Sequence, residues 1–277
     1  MNTFNCPTCK GEMKIVNNMY KCEQNHSYDI AKSGYVNLLL SNNMRSKMPG
    51  DNKLMVNARK NFLNKNYYKV LSDALNELLL EHVKKIDNNS PIIFDAGCGE
   101  GYYTSNLYDY LLQSDVSAKI LGADISKLAL EVAAKRNKNV SFAVASIFNL
   151  PLENHFCDML LNLFAPYCEE EFNRVLKNGG LMFVVIPGEN HLWELKELIY
   201  DNPYTNETED YYKKGFELID TVKVEDTINL TSQEDIDNVF KMTPYYYKTS
   251  AENAKRIVDI ETLETKIEFE ILVYKKQ

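Results

Sequence analysis

The sequence predicts an α/β fold, a Rossmann-like and mostly parallel sheet preceded by a small N-terminal metal-binding module. Apolar segments typical of buried strands alternate with helical segments between residues 92 and 186, as in a parallel sheet. A glycine-rich turn at residues 96–101 follows the first of these strands. Cysteine and histidine cluster within the first 26 residues. With 277 residues and 45% hydrophobic content, the chain can form one large domain and a small appended module.

The composition excludes several classes of protein. No apolar stretch approaches the ~20 residues that a membrane-spanning helix needs. The first ten residues contain no apolar core followed by a cleavage site, so we expect no signal peptide, no membrane partner and a cytoplasmic location. In a reducing cytoplasm the six cysteines are expected to be metal ligands or buried thiols and not disulfides.

Three cysteines and one histidine near the N-terminus have the spacing of zinc ligands. Cys6 and Cys9 are separated by two residues, Cys22 follows after twelve more, and His26 after another three. This spacing lets a tight turn direct two sulfurs at one ion while the later pair completes a tetrahedron. A redox Cys-x-x-Cys pair or unrelated thiols are the alternatives, but a redox pair would need neither Cys22 nor His26. The pattern predicts a structural zinc in a module of residues 1–35, which is too small to fold on an apolar core alone.

A strand, a glycine-rich turn and a helix follow one another after residue 91. Ile92–Asp95 is a short apolar strand, Ala96–Gly101 is the turn, and Tyr102–Leu112 has helical character. Such a unit brings backbone N–H groups close to a ligand. Asp95 ends the strand, and an acid at that position suits an ammonium-bearing ligand better than a pyrophosphate.

Four further strand segments continue this rhythm. Asp124 ends the second strand, 29 residues after Asp95, where it could bind the two hydroxyls of a ribose. The carboxyl ends of parallel strands meet at one edge of a sheet, so we expect a ligand there. Residues 201–212 are interpreted as a polar insertion that contacts substrate or forms a lid. The predicted strands after the first are at 120–124, 140–145, 158–164 and 181–186, with a final antiparallel strand at 265–274.

These motifs resemble those of class I S-adenosylmethionine-dependent methyltransferases. The resemblance rests on D-A-G-C-G-E-G, on the acid that ends the second strand, and on L-K-N-G-G before the fifth strand. It implies S-adenosylmethionine as cofactor, with the loop Asp95–Gly101, which includes Gly97, against its methionine part and Asp124 on its ribose. Ser146 stands where the adenine edge is usually read, although the common acid at that position is absent. A nucleotide-binding oxidoreductase and a non-catalytic relative are the alternatives.

Motifs over nearly the whole chain also resemble the large-subunit (23S) ribosomal RNA guanine-N1 methyltransferases. They include C-P-x-C, C-x-x-x-H, D-I-A-K-S-G-Y-V-N-L-L, M-P-G-D and P-G-x-x-H-L-x-E-L-K. The resemblance implies methylation of one guanine at N1 in a hairpin loop of 23S rRNA, by a homodimer whose zinc modules help to form the RNA cleft. By the same matching, the cofactor contacts are Tyr68, Glu100, Gly101, Asp124 and His191.

The distribution of charge favours an RNA partner although the net charge is −8. Residues 1–90 carry 13 basic and 8 acidic side chains, whereas residues 91–277 carry 18 and 31. Between residues 31 and 70 eight basic side chains accompany a single acid, so a polyanion would meet this segment first. We therefore interpret residues 36–90 as a basic linker and helical region, and residues 91–277 as the methyltransferase domain. The predicted contacts to RNA phosphates are Arg45, Lys47, Arg59 and Lys60.

No catalytic residue can be named from the sequence. Guanine N1 carries a proton near neutral pH, so a base, or stabilisation of the deprotonated ring, is needed. Asn162–Pro166 replaces the Asn/Asp-Pro-Pro-aromatic motif of many exocyclic-amine methyltransferases, which fits a ring nitrogen as the target. His191, Asp51 and Glu189 are candidate bases, and His191 is better explained as a cofactor contact. The tyrosines at 245–247 are expected in the core or the cleft wall. A small-molecule methyltransferase is the main alternative function, because the acidic total charge would suit it.

Overall fold

A computed structural model of the chain describes residues 4–40, 49–88, 90–207 and 211–277. Within these ranges the strands are β1 (Met13–Val16), β2 (Met19–Cys22), β3 (Ser27–Asp29), β4 (Val36–Asn37), β5 (Ile92–Ala96), β6 (Lys119–Asp124), β7 (Ser141–Val144), β8 (Cys157–Leu163), β9 (Leu176–Pro187), β10 (Phe216–Leu230) and β11 (Leu263–Lys276). The helices are α1 (Lys53–Asn64), α2 (Lys69–Val83), α3 (Tyr102–Gln113), α4 (Lys127–Arg136), α5 (Glu169–Val175), α6 (Trp193–Ile199), α7 (Gln233–Met242) and α8 (Tyr245–Lys248), with a 3₁₀ turn at Asn253–Ile257. None of the described helices combines the length and the apolar composition that crossing a bilayer requires.

Eight strands form one mixed sheet in the order β10-β11-β9-β8-β5-β6-β7-β4. The strands from β9 to β4 are parallel to one another, whereas β11 is antiparallel to both β9 and β10. The predicted α/β class and the antiparallel last strand are therefore confirmed. The chain proceeds from β5 to β6 and β7 on one side and returns to place β8 on the other. This reversal leaves a crevice at the carboxyl ends of β5 and β8, where open α/β sheets bind ligands.

The main sheet differs from the sequence-based prediction at three strands. β4 has only two residues, paired with Ala143 and Val144 of β7, and is too short for a periodic signal. β10 has 15 residues but is an edge strand whose side chains are mostly exposed, so charged residues obscure its apolar alternation. β9 begins at Leu176, five residues before the predicted strand, because the chain already pairs with Cys157 there.

The glycine turn after β5 lets two helices approach each other closely. Gly101 caps α3 with a φ of 81°, a left-handed conformation that disfavours other residues. A Cβ at Gly101 would lie 2.7 Å from the Cβ of Ala133 on α4. The glycine is therefore required both by the backbone conformation and by the packing of α3 against α4.

The N-terminal module packs on the sheet near β7. Its first residues bond to the segment after β7, through Asn5 N to the Pro151 carbonyl at 2.8 Å and Lys10 Nζ to Asn149 Oδ1 at 2.8 Å. Phe4 is buried in the same apolar cluster as the strands of the main sheet. The module therefore docks on the large sheet, and the boundaries of the three predicted segments stay a prediction.

Helix α1 lies across the carboxyl edge of the sheet and packs on α7. Its apolar face buries Phe62 and Leu63. Just after the helix, Lys65 Nζ donates to Asp235 Oδ1 at 2.6 Å, and Tyr67 Oη donates to Asp235 Oδ2 at 3.0 Å. Asp235 is buried in the first turn of α7, so these bonds fix α1 relative to the C-terminal part of the fold.

Replacing Asp235 with Ala should loosen α1 from α7. Burial alone would raise the pKa of Asp235, but the donors Lys65, Ser232 and Tyr67 lower it on balance. We expect the free energy of unfolding at pH 7 to fall by about 2–3 kcal/mol, measured by urea denaturation. The lowered pKa means that the native structure favours ionised Asp235. Its contribution to the free energy of unfolding is therefore fully present above pH 3.8 and is lost as the pH falls further.

Asp237→Ala on the same helix is the matched control. Asp237 accepts a bond from Lys241 one turn along α7, and both side chains are partly exposed. Such a pair contributes only about 0.3–0.5 kcal/mol. Equal destabilisation by the two variants would contradict the anchoring role of Asp235.

Candidate active site at the carboxyl edge of the sheet

A cavity of about 920 Å³ lies where β5, β8 and β9 end. The glycine loop after β5 and the segment after β8 form one part of its wall, α1 another, and the chain around α8 a third. A cavity of this size can hold a nucleoside-type cofactor together with a second planar ligand. The lining includes Asp51, Met55, Arg59, Leu63, Tyr68, Asp95, Gly97, Gly99, Glu100, Asn162, Phe164, His191, Tyr204, Asn206, Tyr245, Tyr247 and Lys248.

Asp95 is buried at the end of β5 and lines this cavity. Its Oδ2 accepts a bond from Thr104 Oγ1 at 2.6 Å, whereas its Oδ1 is buried without a hydrogen-bond partner among the described residues. Burial raises the pKa of Asp95 to about 7, although the Thr104 hydroxyl opposes this effect. A buried carboxylate oxygen without a donor is suited to a cationic donor on a ligand.

Asp124 ends β6 and holds the glycine loop in place. Its Oδ2 accepts the N–H of Gly99 at 2.9 Å, and its Oδ1 accepts the N–H of Ser126 at 2.7 Å. Asp124 is not among the described residues that line the cavity, but it contacts the glycine loop, which does line it. Glu100 lines the cavity, with its Oε2 bound to Arg136 Nε at 2.5 Å.

Two other predicted cofactor contacts lie outside the described lining. Gly101 packs against α4, as given above. Ser146 follows β7, and its Oγ accepts the N–H of Phe148 at 3.2 Å. The residue before it, Ala145, donates its N–H to the Asp124 carbonyl at 3.0 Å, so Ser146 stands beside the end of β6. The contacts expected of Gly101 and Ser146 stay predictions.

Tyr68 and His191 form a buried hydrogen-bonded pair in the cavity wall. The Nδ1 of His191 accepts the backbone N–H of Glu268 at 3.2 Å, so Nε2 carries the ring proton. Nε2 then donates to Tyr68 Oη at 3.1 Å, which leaves the hydroxyl hydrogen of Tyr68 for another acceptor. Burial, with the charge of Lys196, lowers the pKa of His191 to about 3, so the ring is neutral near pH 7.

The three candidate bases are therefore poorly placed for that role. Both ring nitrogens of His191 are engaged. The Asp51 carboxylate is bound by Arg59, and Glu189 is exposed outside the described lining. The geometry supports His191 as the residue that orients Tyr68.

The segment before α1 ties this helix to the end of β6. Arg59 Nη2 donates to Asp51 Oδ2 at 2.7 Å and to the Met242 carbonyl at 3.3 Å. Ser126 Oγ donates to the Asp51 carbonyl at 2.8 Å. Residues 51–63 thereby close the cavity on the side nearest the predicted ribose acid.

The predicted RNA contacts are distributed over different environments. Arg59 lines the cavity and is paired with Asp51. Lys60 is exposed on α1. Arg45 and Lys47 lie outside the described residues.

The segment after β8 presses against the glycine loop. Asn162 Nδ2 donates to the carbonyls of Ala96 and Pro166 at 3.1 and 3.2 Å. A Cβ at Gly97, whose φ is 91°, would lie 2.5 Å from the Cβ of Ala165. Phe164 has a φ of 53°, which is unfavourable for a bulky residue, and its ring lies at the cavity. This strain is typical of functional sites.

Several lining residues have no individual signal in the sequence. Tyr204 and Asn206 lie in the predicted polar insertion, and Lys196 stands behind them on α6. Of the tyrosines at 245–247, Tyr245 is buried in the wall and Tyr247 is exposed at the cavity. Only the tertiary structure brings these segments together.

The four predicted zinc ligands converge at a separate site. The donor atoms of Cys6, Cys9, Cys22 and His26 all lie within 4.8 Å of one another. Three thiols and one imidazole are a ligand set that zinc takes in tetrahedral structural sites, with no position left for a substrate. None of the four lines the cavity.

Comparison with known proteins extends these observations. The family model of the RlmA N-terminal zinc ribbon matches residues 4–47, and a methyltransferase-domain model matches residues 86–243. The "23S rRNA (guanine(748)-N(1))-methyltransferase" of Streptomyces fradiae is 32% identical, over 70% of this chain and 66% of that protein. A Micromonospora griseorubida protein named "Putative 23S rRNA (guanine-N(1)-)-methyltransferase" is 33% identical, over 69% of this chain and 67% of its own length.

The chain belongs to the 23S rRNA guanine-N1 methyltransferase family.

A relative that matches almost from end to end is "Putative 23S rRNA (guanine-N(1)-)-methyltransferase YxjB" of Bacillus subtilis (strain 168). It is 26% identical over 280 residues, 98% of this chain and 96% of that protein. Among solved structures, a geranyl diphosphate C-methyltransferase from Streptomyces coelicolor A3(2) aligns with a TM-score of 0.43 and 13% identity, over 74% of this chain and 76% of its own.

As a family member, the chain uses S-adenosylmethionine as its methyl donor and holds structural zinc in its ribbon. The described cavity fits this cofactor: the unpartnered Oδ1 of Asp95 suits its ammonium group, and the available hydrogen of Tyr68 suits its carboxylate. When bound, the cofactor supplies a methyl group activated by a sulfonium. The protein supplies orientation and a dry, shaped environment for the reacting atoms.

Cofactor affinity should depend on the ionisation of Asp95. Because its pKa is about 7, the side chain is largely protonated at pH 6, and a cationic ligand favours the ionised form. We expect affinity for S-adenosylmethionine to weaken by up to about tenfold per pH unit below pH 7 and to level off above about pH 8. Binding at pH 6 should release a proton from Asp95. Isothermal titration calorimetry in buffers of different ionisation enthalpy measures both quantities.

Asp95→Asn provides the comparison. This variant should bind the cofactor more weakly at pH 8 and show little pH dependence between pH 6 and 8. A pH dependence as steep as that of the wild type would show that another group titrates.

Proposed function

We propose that this enzyme transfers the methyl group of S-adenosylmethionine to N1 of one guanine in a hairpin loop of 23S rRNA. The observation that carries the proposal is a set of exposed aromatic side chains at the mouth of the cofactor cavity. Phe164, Tyr204 and Tyr247 line the cavity, yet 41%, 47% and 62% of their surfaces are exposed. Exposed aromatic rings beside a methyl-donor site are suited to stacking on an extruded base.

A hairpin loop suits this cavity because its bases are already unstacked. Guanine N1 lies on the Watson–Crick edge, which pairing in a duplex would hide. Extracting a paired base costs a few kcal/mol, and a loop base avoids most of this cost. The names of the curated relatives support 23S rRNA as the source of that loop.

In this proposal the cofactor occupies the part of the cavity next to the glycine loop. Asp95 and Gly97 contact the methionine part, and His191 orients Tyr68 toward its carboxylate. The same assignment places the loop end, Glu100 and Gly101, against the cofactor, with Asp124 at the ribose and Ser146 at the adenine edge.

The RNA backbone would follow the cationic segment that leads into α1 and continues along this helix. Lys60 is exposed there, and Arg45 and Lys47 belong to the same basic stretch of sequence. Arg59 lies one residue from Lys60 but is paired with Asp51, so we assign it mainly to the cavity wall. Phosphate contacts of this kind position RNA without reading its sequence.

We also propose a homodimer that acts in the cytoplasm, where ribosomal RNA is found. The hairpin between β1 and β2 exposes Ile15 and Val16, with 59% and 48% of their surfaces accessible, which provides an apolar surface for a second zinc module. Sedimentation at twice the chain mass of 32.0 kDa would support the dimer, and a monomer at micromolar concentration would oppose it.

Primer extension on 23S rRNA tests the proposed function directly. N1 methylation removes a Watson–Crick donor, so incubation with protein and S-adenosylmethionine should create a reverse-transcriptase stop at one guanine. Tyr247→Leu should lower kcat/KM for RNA roughly 5- to 150-fold, because stacking contributes about 1–3 kcal/mol per base. Its affinity for the cofactor should fall by less than this, although the variant also removes the bonds of Tyr247 Oη to Asn52 and Met55 at the start of α1.

Tyr110→Leu is the matched control, because Tyr110 is a half-buried tyrosine of α3 outside the described lining. It should leave the stop at full intensity. No new stop on naked RNA or on ribosomal subunits, with methylation of a small molecule instead, would contradict the RNA assignment.

A further inference from the structure

Lys196 is a buried cation directly behind the cavity wall. Its side chain is fully inaccessible to solvent. Nζ donates to the Tyr204 carbonyl at 3.1 Å and to Asn206 Oδ1 at 2.8 Å. It also lies 5.5 Å from the ring centroids of both Tyr204 and Tyr245. No carboxylate in the part of the chain that the structure describes forms an ion pair with it within 4.0 Å.

These contacts fix the segment that carries the exposed ring of Tyr204. Asn206 bridges the lysine to the loop after β9, since its Nδ2 donates to the Gly188 carbonyl at 2.6 Å. The backbone N–H of Asn206 donates to the Glu189 carbonyl at 2.9 Å. Tyr204, Asn206 and Tyr245 all line the cavity, so Lys196 holds three parts of one wall together.

The charge of Lys196 is as informative as its contacts. A buried ammonium without a carboxylate partner is costly, and its field extends into the neighbouring low-dielectric cavity. That field already acts on His191, whose pKa it helps to lower. The ionisable groups around Lys196 are His191, Tyr204, Tyr245 and Lys248. Glu194 lies on α6 itself and is bound to Thr265, and Arg256 lies on the 3₁₀ turn packed against α6 and is paired with Asp201.

A cationic wall favours the anionic form of a bound ligand. Guanine becomes anionic when N1 loses its proton, which is the form whose N1 lone pair attacks a methyl group. Lys248 lines the same cavity and adds to the positive potential. Lys196 and Lys248 thus favour the ionised base, while Glu207, an exposed carboxylate that lines the cavity next to Asn206, adds an opposite charge on this segment.

We propose that Lys196 is a positioning residue for methyl transfer, which fixes Tyr204, Asn206 and Tyr245 against the target guanine and favours loss of its N1 proton. The N1 proton leaves to solvent and the N1 lone pair forms the bond to the methyl carbon. The C–S bond breaks, and its electron pair stays on the sulfur. This inference rests on the proposed function.

The test is the pH profile of single-turnover methyl transfer by Lys196→Met, measured on the rRNA hairpin between pH 6 and 9. We expect the profile to move to higher pH by about one unit, with a rate about tenfold lower at pH 7 and a smaller difference at pH 9. Affinity for S-adenosylmethionine, measured by calorimetry, should stay within twofold of wild type.

Lys276→Met controls for the loss of a buried lysine. Lys276 is also buried, and its Nζ donates to the Asn173 and Leu176 carbonyls, but it lies outside the described cavity lining. This variant should lower the melting temperature and leave the pH profile in place.

Asn206→Asp provides a second route if Lys196→Met does not fold. It places a carboxylate at the position 2.8 Å from Nζ and neutralises the lysine without removing it. The same displacement of the pH profile would support the inference. If the wild type methylates RNA, a variant rate that is lower by the same factor at every pH, or an unchanged pH profile, would overturn the inference about Lys196. If the wild type does not methylate RNA, the proposed function itself would be overturned.

Discussion

The packing of α1 across the carboxyl edge of the sheet is the interaction on which the site depends. A parallel sheet of this topology leaves an open crevice, and the described cavity exists because residues 51–63 cover it. Polar anchors hold the cover in place at both ends. Asp51 with Arg59 and Ser126, and Asn52 with Tyr247, anchor one end, and Lys65 with Asp235 anchors the other.

The two parts of the cavity differ in the sign of their buried charge. Asp95, with one oxygen lacking a described partner, stands at the glycine loop and suits the cationic end of the cofactor. Lys196, which forms no ion pair among the described residues, stands on α6 behind Tyr204, where its charge suits a base that loses a proton. Between them lies His191, which is neutral and uses both ring nitrogens in hydrogen bonds that orient Tyr68. Proton removal in this account depends on the electrostatic environment more than on one nearby base.

The sequence was sufficient to predict those features of the fold and the site that depend on local chemistry. The zinc ligands, the glycine loop and the acids at the ends of β5 and β6 follow from spacing, because turns and strand ends impose the same residues wherever they occur. It was insufficient where distant segments meet. In the sequence Lys196 does not differ from any other helix lysine, and only the fold buries it against Tyr204 and Asn206. Likewise, the proton on His191 Nε2 can be assigned only from the bond that the backbone N–H of Glu268 donates to Nδ1. β10 was missed because an exposed edge strand lacks apolar alternation.

Amide hydrogen exchange of the protein with and without S-adenosylhomocysteine measures the central claim most directly. If α1 is part of the cofactor cavity, the product should slow exchange in residues 53–64 together with the glycine loop at 97–101, while the zinc module changes little. Protection confined to the glycine loop and the ends of β5 and β6, with α1 exchanging at its free rate, would contradict the account.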